Sequence, residues 1–233
     1  MKRKIELFMI LFLLMGAIVA SWKLSELTAN VSKEDKKDQV VIVVDPGHGG
    51  EDPGKVGVND VLEKDLNLQI AKKVKKLLEE AGIKIVMTRT NDKVPDAKKE
   101  DLNQRVQLIN ETKPTLALCI HQNSYPDAKI KGAQVFYHTI TPEAEDVATI
   151  VQEQLRTVDP TNTRQIKEND TYFMLKNCQV PTIIVECGFL TNPEEAAKLT
   201  QEEYQDQIAQ AICEGVVKWL SGDVEGETES GQE

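Results

Sequence analysis

The chain has 233 residues, of which 40% are hydrophobic and 28% are charged, and its formal net charge is −10. This length suits one domain with its own core plus short appendages. An acidic chain is poorly suited to binding nucleic acid, since phosphate binding requires a basic face. Acidity also disfavours a polyanionic substrate. We therefore expect no nucleic-acid partner.

Residues 1–24 have the composition of a targeting segment. Lys2, Arg3 and Lys4 precede an apolar run from Leu7 to Ala20. This run is long for the core of a signal peptide and shorter than the roughly twenty residues of a membrane span. A cleaved signal peptide and a retained membrane anchor both remain open. In either case the basic residues mark the cytoplasmic end, so we expect the rest of the chain to be exported.

Two further segments lack the pattern of a folded domain. Residues 25–39 are polar and aperiodic, which is typical of a linker. Residues 221–233 are rich in acidic residues and glycine, and we predict a disordered acidic tail there. The predicted domain therefore comprises residues 40–220. Its four cysteines form no C-x-x-C pair, and we expect free, buried thiols rather than disulfides.

Short apolar runs alternate with helical patterns along this domain. The runs Val40–Val44, Ile83–Met87, Leu116–Ile120, Ala133–Tyr137 and Thr182–Val185 predict strands. Helical spacing predicts helices from about Leu66 to Leu78, with Gly82 as the C-terminal cap, and over 102–109, 144–156 and 204–220. The alternation indicates an α/β fold with a twisted, mainly parallel central sheet and helices on both faces.

Polar residues follow three of the predicted strands. His48 comes just after the first strand, His121 directly after Leu116–Ile120, and Glu186 directly after Thr182–Val185. A fourth residue, Glu63, precedes the first helix. Because ligands gather at the carboxyl ends of parallel strands, we expect these four side chains to meet at one edge of the sheet. His138 also ends a predicted strand and is a possible substitute.

Two histidines and a carboxylate form the ligand set of a catalytic zinc site with one open position. A second carboxylate would then serve as general base. Each residue also has an alternative reading from its position alone. A histidine at a strand end can be an ordinary solvated residue, Glu63 can be an acid favoured by a helix N-terminus, and the glycines around His48 can form a simple turn or a phosphate-binding loop.

Four segments together resemble the signature blocks of the zinc-dependent N-acetylmuramoyl-L-alanine amidases. They are DPGHGG (45–50), LEKDLNL (62–68), HQNS (121–124) and VECGFLTN (185–192), and they occur in the family's order. The resemblance runs from about Val40 to Trp219. It implies a twisted sheet with helices on both faces and cleavage of the amide between N-acetylmuramic acid and L-alanine in peptidoglycan. It also implies one Zn²⁺ per chain, with His48, Glu63 and His121 as ligands and Glu186 as the catalytic acid.

Other positions are compared with the family one by one. The resemblance suggests Asn123, Arg164 and Lys176 as candidates for substrate binding, although leucine–arginine is usual where this chain has Leu175-Lys176. We expect Arg89 and Arg105 to form internal contacts. Cys119 lies two residues before His121 on the same strand, hence on the same face, and we expect it to be a buried, inert thiol rather than a fourth ligand.

The compact chain and the segment EDLNQRVQLIN (100–110) resemble the spore-cortex amidases in particular. In that group, removal of the peptide prepares muramic acid for lactam formation. A general wall-turnover or cell-separation amidase remains the alternative, as does another zinc hydrolase of peptidoglycan, such as a peptidase or deacetylase. Besides peptidoglycan, we expect a membrane contact through the N-terminal segment, and the need for an activating protein partner remains open.

Overall fold

The computed structural model describes residues 40–139 and 141–222, and these residues fold around one six-stranded sheet. The strands are β1 (Val41–Pro46), β2 (Lys84–Met87), β3 (Leu116–Asn123), β4 (Gln134–Tyr137), β5 (Lys167–Glu168) and β6 (Thr182–Phe189). Their order across the sheet is β2-β1-β3-β6-β4-β5. The strands β2, β1, β3 and β6 pair in parallel, whereas β4 runs antiparallel to β6. The predicted α/β fold with a mainly parallel sheet is confirmed.

Six helices are present in the described residues. They are α1 (Glu63–Glu80), α2 (Lys98–Thr112), α3 (Pro142–Val158), α4 (Phe173–Asn177), α5 (Pro193–Leu199) and α6 (Glu202–Ser221). Helix α1 ends as predicted, because Gly82 adopts a positive φ of 81° and donates to the carbonyl oxygen of Glu79. The sequence patterns did not reveal α4, α5 or the two-residue strand β5.

The helices cover both faces of the sheet, as predicted. Alternate side chains of a strand point to opposite faces, so Val44, Leu118 and Val185 join one apolar cluster and Val43, Cys119 and Ile184 join the other. The first and larger cluster packs against α1, α3 and α6. The second packs against α2 and α4. All four cysteines are buried and free, which confirms the expected thiols.

Two strands are longer than their apolar runs suggested. His121 lies within β3 and Glu186 within β6, and the two residues are paired in the register between these strands. The backbone ladder therefore continues through the polar residues that we had expected to follow the strands. Beyond His121 the register shifts by a bulge before Asn123 pairs with Phe189.

The expectation that His138 could replace one of the site residues is wrong, because β4 runs against its neighbour. Gln134 pairs with Glu186, whereas Tyr137 pairs with Ile183 at the opposite end of β6. His138 therefore follows β4 at the edge of the sheet remote from Glu186.

The predicted targeting segment, 1–24, and the predicted linker, 25–39, lie outside the described residues. The predicted tail lies outside them from residue 223 onwards, and α6 includes its first residue, Ser221. Among the helices of residues 40–222 that the structure describes, none has the length and apolarity that a bilayer crossing requires.

Candidate metal centre and active site

His48, Glu63 and His121 come together at the carboxyl edge of the parallel strands. His48 lies in the loop that follows β1, His121 lies near the end of β3, and Glu63 is the first residue of α1. Nε2 of His48 and Nδ1 of His121 face the same carboxylate oxygen, Oε1 of Glu63, at 3.2 and 3.0 Å. The potential ligand atoms of the three residues all lie within 4.8 Å of one another.

This donor set fits a zinc ion. Two imidazoles and a carboxylate are typical protein ligands of a catalytic zinc site. Bonds of about 2.1 Å at tetrahedral angles place two ligand atoms about 3.4 Å apart, which is close to the 3.0 and 3.2 Å between the carboxylate oxygen and the two ring nitrogens.

The loop that carries His48 orients its imidazole. Nδ1 of His48 contacts Oδ2 of Asp52 at 2.9 Å, so that Nε2 is directed toward Glu63. A carboxylate on the far nitrogen is the usual partner of a metal-binding histidine, because it fixes the tautomer and the ring orientation. Burial alone would raise the pKa of Asp52, but hydrogen bonds from His48 and Lys98 outweigh burial and lower it to about 2.

Tight packing in the same loop explains its glycines. A Cβ atom at Gly47 would lie 2.1 Å from Cε1 of His121, so no larger residue fits beside that ring. Gly54 has a φ of 67°, and a Cβ there would lie 2.6 Å from Oε2 of Glu63. His48 itself has a φ of 61°, a left-handed conformation that is unfavourable for a residue with a side chain.

Glu63 is held by backbone and side-chain donors on both oxygens. Oε2 accepts from the backbone N–H of Lys55 at 2.8 Å, and Oε1 accepts from the backbone N–H of Gln122 at 3.1 Å. Asn67, one helical turn further along α1, donates to the Gly47 carbonyl oxygen at 3.1 Å. Burial would raise the pKa of Glu63, but the hydrogen bonds with His121 and His48 outweigh it and hold the pKa far below its usual value. Glu63 is therefore ionised and fixed in place.

Two buried arginines hold the His48 loop by hydrogen bonds to its carbonyl oxygens. Arg105 donates to the carbonyl oxygens of Pro46 and His48, each at 2.7 Å, and pairs with Asp45 and Asp101. Arg89 donates to the carbonyl oxygens of Pro46 and Gly47 at 2.8 and 3.0 Å, and to that of Lys64 at 2.7 Å. The internal contacts expected for both residues are present. They satisfy carbonyl groups that the strained loop cannot pair with a strand.

Glu186 stands beside the three residues on the same face of the sheet. Its partner in the register is His121, and neighbouring strands lie about 4.8 Å apart. Glu186 is 7% exposed, and its Oε2 has no hydrogen-bond partner among the described residues. Burial raises its pKa to about 7; His121 opposes this rise, and Glu63 adds to it. A carboxyl with such a pKa can both accept and release a proton near neutrality.

These groups open into a cavity of about 430 Å³. One wall is formed by Lys98 and Leu102 of α2, and the opposite wall by α4 and the residue before it, Tyr172. The remaining lining residues are the ligand candidates, Glu186, Ile184, Gln122, Asn123 and Ser124. The cavity is thus polar around the possible metal position and largely apolar along its walls.

Only one of the three candidates for substrate binding lines this cavity. Asn123 lines it, whereas Arg164 and Lys176 are not among its lining residues. Arg164 donates to the carbonyl oxygen of Lys131 and to Gln134, and its guanidinium group lies 4.6 Å from the centre of the Phe189 ring. Sequence reasoning did not single out Asp52 or Lys98. The signal for Asp52 was its position four residues after His48 in the glycine-rich loop.

Comparisons with known proteins agree with this geometry. Residues 42–218 match the family model described as N-acetylmuramoyl-L-alanine amidase. The germination-specific N-acetylmuramoyl-L-alanine amidase of Bacillus subtilis is 39% identical over 190 residues, which are 78% of this chain and 80% of the relative. The CwlD amidase of Clostridioides difficile, solved in complex with the GerS lipoprotein, is 35% identical with a TM-score of 0.76, covering 79% of this chain and 100% of that one.

The catalytic domain of CwlV from Bacillus (Paenibacillus) polymyxa var. colistinus is 28% identical with a TM-score of 0.71, and the match covers 78% of this chain and 98% of that domain. The family model and the relatives thus span nearly the whole region that the structure describes. The chain belongs to the N-acetylmuramoyl-L-alanine amidase family, and it is a hydrolase that cleaves the amide bond between N-acetylmuramic acid and L-alanine in peptidoglycan.

Proposed function

We propose that this amidase works with one zinc ion held by His48, Glu63 and His121, and that Glu186 is its catalytic acid and base. The observation that carries the proposal is the convergence of three ligand atoms within 4.8 Å next to an unpartnered carboxylate oxygen. A zinc ion bound there would polarise the scissile carbonyl and make water a stronger nucleophile.

The residues of the chain supply the proton transfers. Glu186 lines the cavity, and its carboxylate accepts a proton from the attacking water. The carboxyl group then delivers this proton to the departing amide nitrogen of L-alanine. Burial raises the pKa of Glu186, which favours the protonated form that gives its proton to the leaving group. Asp52 keeps His48 in the orientation that directs Nε2 toward the metal position.

Two variants and a control separate the roles of ligand and base. His48→Ala should lower the zinc content of the purified protein. Glu186→Gln should keep zinc and fold but reduce turnover by about two to four orders of magnitude, the usual effect of losing a general base. Glu203→Gln, an exposed glutamate of α6, serves as control and should behave as wild type. Equal zinc content in wild type and His48→Ala would overturn the ligand assignment, and near-normal turnover of Glu186→Gln would overturn the assignment of the base.

We further propose a role in the maturation of the spore cortex, where removal of the stem peptide precedes formation of muramic lactam. The support is the germination-specific relative of B. subtilis at 39% identity. In a host that lacks the chain, cortex muropeptides should lose muramic lactam. Intact lactam together with unseparated or thick-walled vegetative cells would favour the alternative of general wall turnover. Product analysis distinguishes the enzyme types, because an amidase exposes new amino-terminal L-alanine.

The proposed site of action is the cell-wall space. Residues 1–24 would direct export as a cleaved signal peptide or as a membrane anchor, which comparing the mass of the mature protein with that of the full chain would distinguish. An activating protein partner is also proposed, because the C. difficile relative was solved with the GerS lipoprotein. The corresponding test compares the turnover of the chain alone with that of the chain plus a candidate lipoprotein from the same host.

A further inference from the structure

The cavity has a single lysine or arginine among the described residues that line it, Lys98. It is the first residue of α2, where a cation is unfavourable because the N-terminus of a helix carries a partial positive charge. Its side chain is 63% exposed. Neither helix stability nor burial therefore accounts for a cation at this position.

Lys98 is connected to the proposed metal centre through one carboxylate. Its Nζ lies 2.9 Å from Oδ2 of Asp52, and the same oxygen lies 2.9 Å from Nδ1 of His48. An ammonium group has three donors, so contact with Asp52 leaves two of them for another partner. The other ionisable groups lining the cavity are the two histidines, Glu63, Glu186 and the phenol of Tyr172. Among the described lining side chains outside the proposed ligand set, Lys98 is thus the one that can pair with an anionic substrate group.

The reaction supplies such an anionic group. The peptide released from muramic acid begins with L-alanine, and the next residue of a stem peptide is a D-glutamate joined through its side chain, which leaves its α-carboxyl free. Two extended residues span about 7 Å, so this carboxylate lies within reach of the cavity wall when the scissile amide is at the ligand cluster. In some cell walls the same carboxyl is amidated and therefore neutral.

We infer that Lys98 binds the free α-carboxylate of the second stem-peptide residue and makes the enzyme selective for the acid over the amidated form. The inference rests on the amidase reaction and on the proposed metal centre. Lys98 thus determines specificity on the peptide side of the scissile bond. Asp52 holds the ammonium group in position, because the lysine side chain is otherwise free to turn into solvent.

The test combines a change of charge in the protein with a change of charge in the substrate. KM and kcat are measured for wild type, Lys98→Met and Lys98→Arg with two muramoyl peptides that differ only in a free or an amidated α-carboxyl on the second residue. Lys99→Met is the matched control, because Lys99 is also exposed at the start of α2 but does not line the cavity.

We expect Lys98→Met to raise KM for the free acid by about tenfold to a hundredfold, the effect of losing one charge-assisted hydrogen bond. The loss should be at least about tenfold larger with the acid than with the amide, while kcat for the acid changes less than KM. Lys98→Arg should restore most of the selectivity, and Lys99→Met should leave both substrates unaffected.

Equal losses on the two substrates would overturn the inference, because Lys98 would then act only by positioning Asp52 and His48. Unchanged kinetics of Lys98→Met would overturn it as well. Failure of the proposed metal centre is distinguishable from both outcomes, since it would appear as unaltered zinc content and activity in His48→Ala, whatever the charge of the substrate.

Discussion

Arg105 offers the most direct test of how the fold holds the His48 loop. Its guanidinium group is 4% exposed and contacts Asp45, Asp101 and the carbonyl oxygens of Pro46 and His48. Replacing it with methionine retains much of the apolar side chain but leaves Asp45, 1% exposed, without its cation. Removing one partner of a buried ion pair typically costs about 3–5 kcal/mol. We expect the free energy of unfolding of Arg105→Met to fall by that amount.

The pKa of Asp45 sets the pH dependence of this loss. Burial would raise the pKa of this carboxyl, but Arg105 and the hydrogen bond from Thr88 outweigh burial and hold the pKa below its usual value. A carboxyl whose pKa is lowered by folding stabilises the protein above its unfolded-state pKa, and the effect is lost as the pH falls through the folded-state value. The stability difference between wild type and Arg105→Met should therefore be complete at about pH 7 and shrink as the pH falls below about 4.

Urea unfolding followed by circular dichroism, at about pH 7 and below about pH 4, measures the stability difference between wild type and Arg105→Met. Lys75→Met is the control, because Lys75 pairs with Glu79 at the surface and such pairs contribute at most about 1 kcal/mol. Adding Asp45→Asn to Arg105→Met should recover part of the loss, since the buried amide carries no unpaired charge. A loss for Arg105→Met no larger than that of the surface control would refute the proposed bracing of the loop by buried charge.

Two further substitutions test the packing around the metal centre. Gly47→Ala should abolish zinc binding and activity with little effect on the unfolding midpoint, because its Cβ would lie 2.1 Å from the His121 ring. Gly82→Ala is the control and should retain activity, because a Cβ there meets nothing within 4 Å. Zinc bound to Gly47→Ala would contradict the packing argument. Cys119→Ser should spare zinc and turnover, since burial raises the pKa of this thiol well above its ordinary value; loss of bound zinc, measured by metal analysis, would make Cys119 a ligand after all.

The strands and long helices were predictable because their apolar periodicity is local. Helix α1, for example, shows its apolar face and its terminating Gly82 within one stretch of sequence. The direction of β4 was not predictable, because strand direction depends on pairing with the distant β6, and this is why the alternative role of His138 was wrong. Helix α4 has only five residues, too few for a periodic signal, and such short helices depend on tertiary packing.

The site was predictable because side chains at the carboxyl ends of parallel strands lie at one edge of the sheet. His48, Glu63 and His121 could be placed at one edge of the sheet from the strand and helix pattern, and the structure brings them within contact distance. Their supporting residues were harder to identify. Lys98 is close to His48 only through tertiary contact between the start of α2 and the loop after β1. No local sequence pattern predicts such a contact.

The larger core and the side chains of His121 and Glu186 lie on opposite faces of the sheet, and Glu63 reaches the site from the start of α1. The larger apolar cluster packs under α1, α3 and α6. Cys119 and Ile184 belong to the opposite face, which α2 and α4 cover. His121 and Glu186 lie two positions further along the same strands and therefore share that face. Substitutions that reshape the cavity walls therefore leave the main core intact. The segments around α2 and α4 can therefore be altered without rebuilding the core beneath α1, α3 and α6.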